Sequence, residues 1–136
     1  MSVCSVVVMA SVFALDHIVF VVADVERSLA WYMGHAGLAS VNVEAWRAGD
    51  AFFPSLRVDE GTIIDFVEGQ PGDGRGHLDH VCFVVSEADL ASVAADSSLE
   101  VVDQGQRSGA RGLGQSVYVR DPDGLLVEFR CYPAAT

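Results

Sequence analysis

Residues 15–22 read LDHIVFVV, and residues 78–85 read LDHVCFVV. Six of the eight positions are identical, and the two histidines stand 80 − 17 = 63 residues apart. Each stretch is an apolar run rich in β-branched residues, which is typical of a strand buried on both faces. Because a duplicated chain keeps one offset throughout, the same spacing should relate other positions.

The offset of 63 also pairs later positions of like chemistry. These pairs are Arg57 with Arg120, Gly61 with Gly124, Ile64 with Val127, Asp65 with Glu128 and Phe66 with Phe129. Since the spacing holds without a gap across most of each half, the chain is predicted to contain two copies of one unit of about 60 residues.

Each unit is predicted to contain one strand, one helix and three further strands. Asp24 supplies the N-cap of a helix over Val25–His35, and Ser86 begins the equivalent helix, which ends near Ala95. The further strands of the first unit are predicted near residues 39–47, 51–58 and 62–67, with turns at 49–50 and 59–61. Those of the second unit are predicted near residues 100–106, 115–120 and 125–131, with the last turn at 121–124 (DPDG).

Two such units can pair so that their curved sheets enclose a shared cavity. The predicted fold class is therefore α+β, with two tandem βαβββ modules forming a cupped eight-stranded mixed sheet. We expect a leader over residues 1–14, a first module over 15–69, a Gly- and Pro-rich linker over 70–77 and a second module over 78–136, all within one structural domain.

The charge balance excludes two classes of partner. Among 136 residues, 19 are acidic and 8 are basic, which gives a formal net charge of −11. Such a surface repels phosphate backbones and anionic lipids, so we expect neither a nucleic-acid nor a membrane partner. The three cysteines show no CxxC spacing, and residues 1–14 are uncharged and too short to span a bilayer. A reducing cytoplasmic location is predicted.

Four polar residues interrupt the apolar strands at equivalent places. His17 and His80 lie in the first strand of each unit, and Asp65 and Glu128 lie in the last. A buried, unpaired carboxylate costs several kcal/mol, so it shifts its pKa or binds a cation. Two imidazoles with one or two carboxylates predict a divalent metal site that suits Fe, Mn, Ni, Co or Zn better than Mg or Ca.

Two longer stretches carry a family resemblance. Residues 15–32 (LDHIVFVVADVERSLAWY) and 117–129 (VYVRDPDGLLVEF) resemble the vicinal oxygen chelate superfamily, which contains glyoxalase I, bleomycin-resistance proteins, fosfomycin-resistance transferases, extradiol dioxygenases and methylmalonyl-CoA epimerases. The resemblance covers about residues 14–133. It implies paired βαβββ modules around a metal, with ligands on the first and fourth strands. Those positions here are His17, Asp65, His80 and Glu128.

Asp65 departs from the glyoxalase I pattern, which has a Glu there. Because Asp is one methylene shorter, two ligand sets remain open. Without Asp65, the set of His17, His80 and Glu128 resembles that of extradiol dioxygenases and fosfomycin-resistance enzymes. With Asp65, the set resembles that of glyoxalase I or the epimerase.

Other polar and aromatic positions are weaker candidates for contacts with a substrate. They are Tyr118, Ser55, Phe53, Trp46, Arg130 and Arg111. Core or rim packing is the favoured role for Phe53, Trp46 and Arg130, and turn positions are favoured for Arg57 and Arg120. Arg111 lies in residues 107–114 (RSGARGLG), which form either a flexible basic loop over an anionic substrate or a plain hairpin connection.

The resemblance implies a glyoxalase-like, metal-dependent enzyme that chelates vicinal oxygens of a small oxygenated substrate and stabilises an enolate or oxyanion. It would act as a lyase or isomerase, with Glu128 or Asp65 transferring a proton, or as an extradiol-type dioxygenase. The alternative is a metal-free, drug-sequestering binding protein of the bleomycin-resistance type. A fosfomycin-type transferase would need a potassium-binding loop and a dense cationic pocket, neither of which is visible. A homodimer is expected by analogy with small family members.

Overall fold

The computed structural model describes residues 10–70, 76–120 and 124–134. Its elements follow the order of two successive βαβββ units, with one short helix added to the first. The first unit contains β1 (Ala14–Val22), α1 (Val25–His35), β2 (Ala39–Ser40), α2 (Val43–Arg47), β3 (Ser55–Asp59) and β4 (Thr62–Glu68). The second contains β5 (Leu78–Val84), α3 (Glu87–Ala95), β6 (Val101–Gly109), β7 (Gly112–Arg120) and β8 (Leu126–Cys131).

Within the described residues, eight strands form one mixed sheet, in the order β2-β3-β4-β1-β5-β8-β7-β6. The central strands β1 and β5 run antiparallel to each other, and each is flanked by the parallel last strand of its own unit. The sheet is curled, since its two ends meet. The Arg57 guanidinium on β3 donates at 3.0 Å to the carbonyl of Ala110, which lies just beyond β6 at the far end of the strand order. This architecture confirms the predicted α+β fold.

The strand register confirms that the two units are equivalent. His17 pairs with Ile63 between β1 and β4, and His80 pairs with Leu126 between β5 and β8. Both residues of the first pair become those of the second when 63 is added. Residues that are 63 apart in the sequence therefore occupy equivalent positions in the two halves of the sheet.

The helices cover one face of the sheet and leave the other for the polar residues. Leu29 of α1 packs with Leu56 and Phe66 in one core cluster, and α3 packs over a separate cluster on β7 and β8. Since neighbouring residues of a strand point to opposite faces, Asp65 lies on the face opposite Phe66. The polar side chains thus line the concave, helix-free face.

The predicted strand over residues 39–47 is wrong beyond residue 40. Its second half forms helix α2, whose Val43 N–H is capped by the Ser40 hydroxyl at 3.1 Å. The Asn42 side chain accepts from the Ser55 N–H at 2.7 Å, which fixes the chain where it leaves the sheet. The turn predicted at residues 49–50 consequently follows a helix, and the strand predicted over 51–58 shortens to Ser55–Asp59.

The remaining predictions about connections have mixed outcomes. Residues 107–114 form part of the hairpin β6–β7, in which Gly109 pairs with Gly112, so the flexible basic loop is wrong. The leader up to residue 9, the linker residues 71–75 and the turn residues 121–123 lie outside the described ranges. Within those ranges, no helix is long and apolar enough to cross a bilayer.

Candidate metal centre

The two histidines meet at the centre of the sheet, because β1 and β5 are neighbours. His17 is 3% exposed, and the rings of His17 and His80 pack edge to face with centroids 5.3 Å apart. Their Nε2 atoms are 3.3 Å apart. Both imidazoles therefore direct the same nitrogen at one point.

Glu128 completes a compact set of three from β8. Its Oε1 lies 3.2 Å from His17 Nε2 and 3.1 Å from His80 Nε2, and its side chain is 1% exposed. The Ser116 hydroxyl donates to the other carboxylate oxygen at 2.7 Å and holds the group in place. One ligand atom from each of His17, His80 and Glu128 lies within 4.8 Å of the other two.

Asp65 stands beside this set and does not join it. Its Oδ2 is 3.9 Å from His17 Nε2, and its Oδ1 accepts from the Ser55 hydroxyl at 2.5 Å. Glu128 pairs with Cys82 and Asp65 with Val19 at equivalent places of the sheet. The two acids thus occupy equivalent strand positions, but the acid that is one methylene shorter stands farther from His17 Nε2.

The geometry of the three atoms fits a metal ion. Ligands about 2.1 Å from one ion stand about 3.0 Å apart in octahedral and about 3.4 Å apart in tetrahedral geometry. The observed separations among His17, His80 and Glu128 are 3.1, 3.2 and 3.3 Å. The four predicted ligand residues also come from one chain, so a dimer is not needed to assemble them.

The chemistry of the donor atoms also fits a metal ion. Each Nδ1 lies 2.7 Å from a carboxylate, His17 from Asp16 and His80 from Asp79. A carboxylate only accepts hydrogen bonds, so both Nδ1 atoms carry the hydrogen, and a neutral ring presents a lone pair at Nε2. Two such lone pairs and a Glu128 oxygen then face one another. That arrangement is repulsive unless protons or a cation lie between them.

Without a metal, the histidines take up protons instead. Burial lowers the pKa of His17, but the hydrogen bonds to Asp16 and Glu128 outweigh it and raise the pKa to about 9. The pKa of His80 is raised too, against burial, by Asp79 and Glu128. Burial alone would raise the pKa of Glu128, yet the two imidazoles hold it well below its usual range. A bound metal would replace protons at this point.

Asp65 has the opposite perturbation. Burial raises the pKa of its carboxyl group, and the opposing effects of His17 and the Ser55 hydroxyl only partly reverse the shift. The two acids thus occupy equivalent positions with pKa values shifted in opposite directions, an arrangement typical of acids that perform different tasks in one site.

Asp16 and Asp79 were not among the predicted site residues. They contact the site through Nδ1 of the two histidines and do not point at the ligand atoms. A signal was present, since both aspartates belong to the repeated LDH triplet at an offset of 79 − 16 = 63. In a regular strand, however, the residue before a buried histidine faces the other side, so spacing alone argued against a role.

Two weaker candidates lie next to the site. The Tyr118 ring is half-buried and 5.8 Å from the His80 ring, and burial raises the pKa of its hydroxyl, with Glu128 nearby adding to the effect. Ser55 is buried and binds Asp65. Tyr118 therefore keeps its proton and stands at the concave face, where a substrate would approach.

None of the other candidates is placed beside the Nε2 atoms of the two histidines by the contacts that the structure describes. Arg130 is 0% exposed and packs behind the site, because its Nη1 lies 3.4 Å from Glu128 Oε2 and its guanidinium donates to the Arg107 and Ser108 carbonyls. Arg111 is exposed in the β6–β7 turn, where a Cβ at Gly61 would lie 2.9 Å from its guanidinium. It therefore meets the opposite hairpin turn.

Trp46 and Phe53 line a separate cavity of about 440 Å³ beside the start of α1, and Trp46 also packs into the α1 core cluster. A larger cavity of about 610 Å³ lies between α3 and strands β6 and β7. None of His17, His80 and Glu128 lines either cavity. The candidate metal centre is thus distinct from both.

Residues 14–129 match the family model described as Glyoxalase/Bleomycin resistance protein/Dioxygenase superfamily. A virulence protein of Salmonella typhimurium is 27% identical over an alignment of 124 residues, which covers 87% of this chain and 83% of that protein. A glyoxalase domain-containing protein of Mycosarcoma maydis is 28% identical over an alignment of 141 residues including gaps, which covers 92% of this chain and 72% of that protein.

The fold also resembles solved structures. Methylmalonyl-CoA epimerase from Mycobacterium tuberculosis superimposes with a TM-score of 0.64 at 21% identity, covering 96% of this chain and 94% of that one. At that identity, the likeness concerns the fold.

Proposed function

The chain belongs to the Glyoxalase/Bleomycin resistance protein/Dioxygenase superfamily, and from that premise we propose that it is a metal-dependent enzyme whose metal ligands are His17, His80 and Glu128. The observation that carries the proposal is the convergence of three acceptor atoms at separations of 3.1 to 3.3 Å. A divalent ion of the Fe, Mn, Ni, Co or Zn group, when bound there, would supply Lewis-acid chemistry toward two adjacent oxygens of a small substrate.

We assign proton transfer to Asp65. Its carboxylate is outside the ligand set but only 3.9 Å from His17 Nε2, so it borders the place where a substrate would bind. A carboxyl group whose pKa is raised is better matched to taking up and returning a proton near neutral pH. The Ser55 hydroxyl holds one oxygen and leaves Oδ2 free to accept a proton from the substrate carbon next to its carbonyl group.

Tyr118 is assigned a supporting role toward the substrate. Its hydroxyl remains protonated because burial raises its pKa, and it is hydrogen-bonded to Glu128, so a substrate oxygen at the His80 side would take over that hydrogen bond. With Asp65 accepting a proton and Tyr118 donating a hydrogen bond, the residues fit an isomerase or lyase that passes through an enolate. This is the reaction class we favour.

The rival reading is a metal-free, drug-sequestering protein. It is disfavoured because the groups that meet at the site are two imidazoles and two carboxylates, of which only His80 is partly exposed, whereas such a protein would need an apolar, aromatic-rich groove there. The extradiol-type dioxygenase remains the second enzymatic candidate, since three protein ligands with open positions are typical of such iron sites. A homodimer and a cytoplasmic location also remain predictions.

Elemental analysis of protein purified without chelators tests the metal assignment. Wild-type protein should carry close to one transition-metal ion per chain, and His17→Ala and His80→Ala should carry almost none. His35→Ala is the matched control, because His35 is exposed at the end of α1. Full metal content in the His17 and His80 variants would refute the ligand assignment.

A second experiment separates the two enzymatic classes. Small compounds with adjacent oxygens are incubated with the protein in D₂O, and loss of the α-proton signal is followed by NMR. We expect exchange that Asp65→Asn abolishes while metal content is retained. Oxygen consumption with catechols, unaffected by Asp65→Asn, would instead indicate the dioxygenase.

A further inference from the structure

Each candidate ligand histidine is hydrogen-bonded by the aspartate that immediately precedes it. The Nδ1 to carboxylate distance is 2.7 Å both for His17 with Asp16 and for His80 with Asp79. Successive residues of a regular strand point to opposite faces, so neighbours do not normally bond side chain to side chain in this way. The strand must be irregular at both places.

The irregularity is a pair of β-bulges. The pairing of β1 with β5 passes over Asp16 on one strand and over Asp79 on the other, so each aspartate is the extra residue of a bulge. A bulge re-aims a side chain at the expense of local pairing. Because both bulges keep the offset of 63, the device belongs to the repeated unit.

The two aspartates differ in how firmly they are held. Asp16 is 0% exposed; its Oδ2 also accepts from the Ala110 N–H at 3.0 Å, and its Oδ1 accepts from the Tyr132 hydroxyl. Arg130 adds a positive charge, with Nη1 3.9 Å from Asp16 Oδ2. The Asp79 side chain is 42% exposed. Asp16 is therefore enclosed by protein groups, whereas the Asp79 side chain is partly open to solvent.

We propose that Asp16 is the positioning residue of the metal centre. It fixes His17 as the tautomer with hydrogen on Nδ1, so that the lone pair on Nε2 points at Glu128 and the metal. The inference rests on the proposed function, because it concerns the same site. Partners that orient a ligand imidazole in this way contribute about 10–100-fold to metal affinity in proteins.

The restraint on Asp16 comes from the other module. Ala110 lies in the β6–β7 turn and Tyr132 directly follows β8, so the second unit orients the histidine of the first. The turn is itself tied back, because the Arg57 guanidinium donates to the Ala110 carbonyl at 3.0 Å. The β6–β7 turn thus makes two contacts through Ala110. Its carbonyl is bound by Arg57 on the opposite side of the curled sheet, and its N–H holds the aspartate that orients His17.

Two isosteric variants provide the test, measured with Zn²⁺ as the probe in competition with a chromophoric chelator. Asp16→Asn should weaken zinc affinity by about 10–100-fold, and the matched control Asp79→Asn by less than about tenfold. In protein labelled with ¹⁵N-histidine, the protonated Nδ1 signal of zinc-bound His17 should shift or broaden in Asp16→Asn. A purely structural role would leave that signal in place.

Equal zinc affinities for the two variants, with the His17 Nδ1 signal unchanged, would overturn the inference. If Asp16→Asn does not fold, Tyr132→Phe decides, since it removes one donor to Asp16 and should weaken zinc binding by several-fold; unchanged binding there would count against the inference. The proposed function fails separately. It fails if His17→Ala still binds zinc with wild-type affinity, whereas loss in His17→Ala without loss in Asp16→Asn refutes only the role of Asp16.

Discussion

The two modules place the same kinds of side chain at the same offset, yet they contribute unequally to the candidate centre. Glu128 of the second module lies within 3.2 Å of both Nε2 atoms, whereas Asp65 of the first stands 3.9 Å from His17 Nε2. The strand register around the two acids is the same. The duplicated framework thus places two acids beside the histidines, and the shorter acid stands farther from His17 Nε2.

The modules also differ in how they are covered. The second extends the hairpin β6–β7 across to the first, and its turn contacts Asp16 through the Ala110 N–H. The first replaces the equivalent hairpin with α2 and a strand of only two residues. The side chain of His17 is accordingly 4% exposed and that of His80 13% exposed. His80 therefore faces the more open side of the site.

The sharpest test of the unequal acids compares two isosteric variants. Glu128→Gln replaces the anionic ligand with a neutral and weaker amide oxygen, so zinc affinity should fall by more than about a hundredfold, beyond the loss seen when a residue only orients a ligand. Asp65→Asn should lose less than about tenfold. Isothermal titration of metal-free protein with zinc measures both. Similar losses in the two variants would mean that Asp65 is a ligand as well.

Exchanging the two acids would show whether side-chain length alone makes the difference. Glu128→Asp should bind zinc weakly, because the shortened carboxylate would stand farther from the two Nε2 atoms that Glu128 Oε1 approaches to 3.1 and 3.2 Å. Adding Asp65→Glu should restore zinc affinity by at least about tenfold, because the equivalent acid of the first module would then be long enough to act as the ligand. Competition with a chelator measures the recovery. No recovery in the double variant would show that the surroundings of the modules, and not the methylene, decide the ligand.

Much of this arrangement could be predicted from the repeat. The offset paired each histidine with an acid on a neighbouring parallel strand, and the sheet preserves that spacing in its register. The repeat and the alternation of residues along a strand are properties of regular strands, so they predicted the fold and the proximity of these four residues. It could not decide whether Asp65 is a ligand, because that depends on a difference of about an ångström.

The features that were missed depend on departures from regular structure. Asp16 reaches His17 only through a bulge, and no sequence period indicates a bulge. The segment that became α2 is ordered by the Asn42 side chain, which bonds backbone atoms more than ten residues away. Arg130 was a substrate candidate on its strand position alone. Its burial depends on carbonyl groups of β6, which is distant in sequence.

The metal-free protein should lose stability as pH rises, and the loss should come mainly from the buried histidine of the first module. The pKa of His17 is about 9 in the folded protein, against an ordinary histidine pKa of 6.5. A raised pKa contributes stability that is fully present below pH 6.5 and is lost as pH rises through about 9. The free energy of unfolding should therefore fall by up to about 1.4 kcal/mol per pH unit in that window.

Urea unfolding of chelator-treated protein between pH 6 and 9.5 measures this slope. His17→Gln should flatten it, and saturating zinc should flatten or reverse it, because the metal takes the place of the protons. His35→Ala is the control and should keep the wild-type slope. A metal-free protein whose stability rises across the window would contradict the prediction.

The smallest expected effect concerns the packing that lets the second module hold Asp16. A Cβ at Gly109 would lie 2.2 Å from Arg130 Nη1 and 2.7 Å from Asp16 Oδ2, and neither group has room to retreat from its hydrogen bonds. Gly109→Ala should therefore cost about 1–3 kcal/mol of unfolding free energy, as overpacking does. Gly34, on α1, has no atom within 4 Å of an added Cβ, so Gly34→Ala should be neutral or stabilising by up to about 1 kcal/mol. Chemical denaturation of both variants distinguishes a clash with Asp16 and Arg130 from a general response to an added methyl group. Equal stabilities of the two variants would show that the hairpin is not packed tightly enough to restrain Asp16.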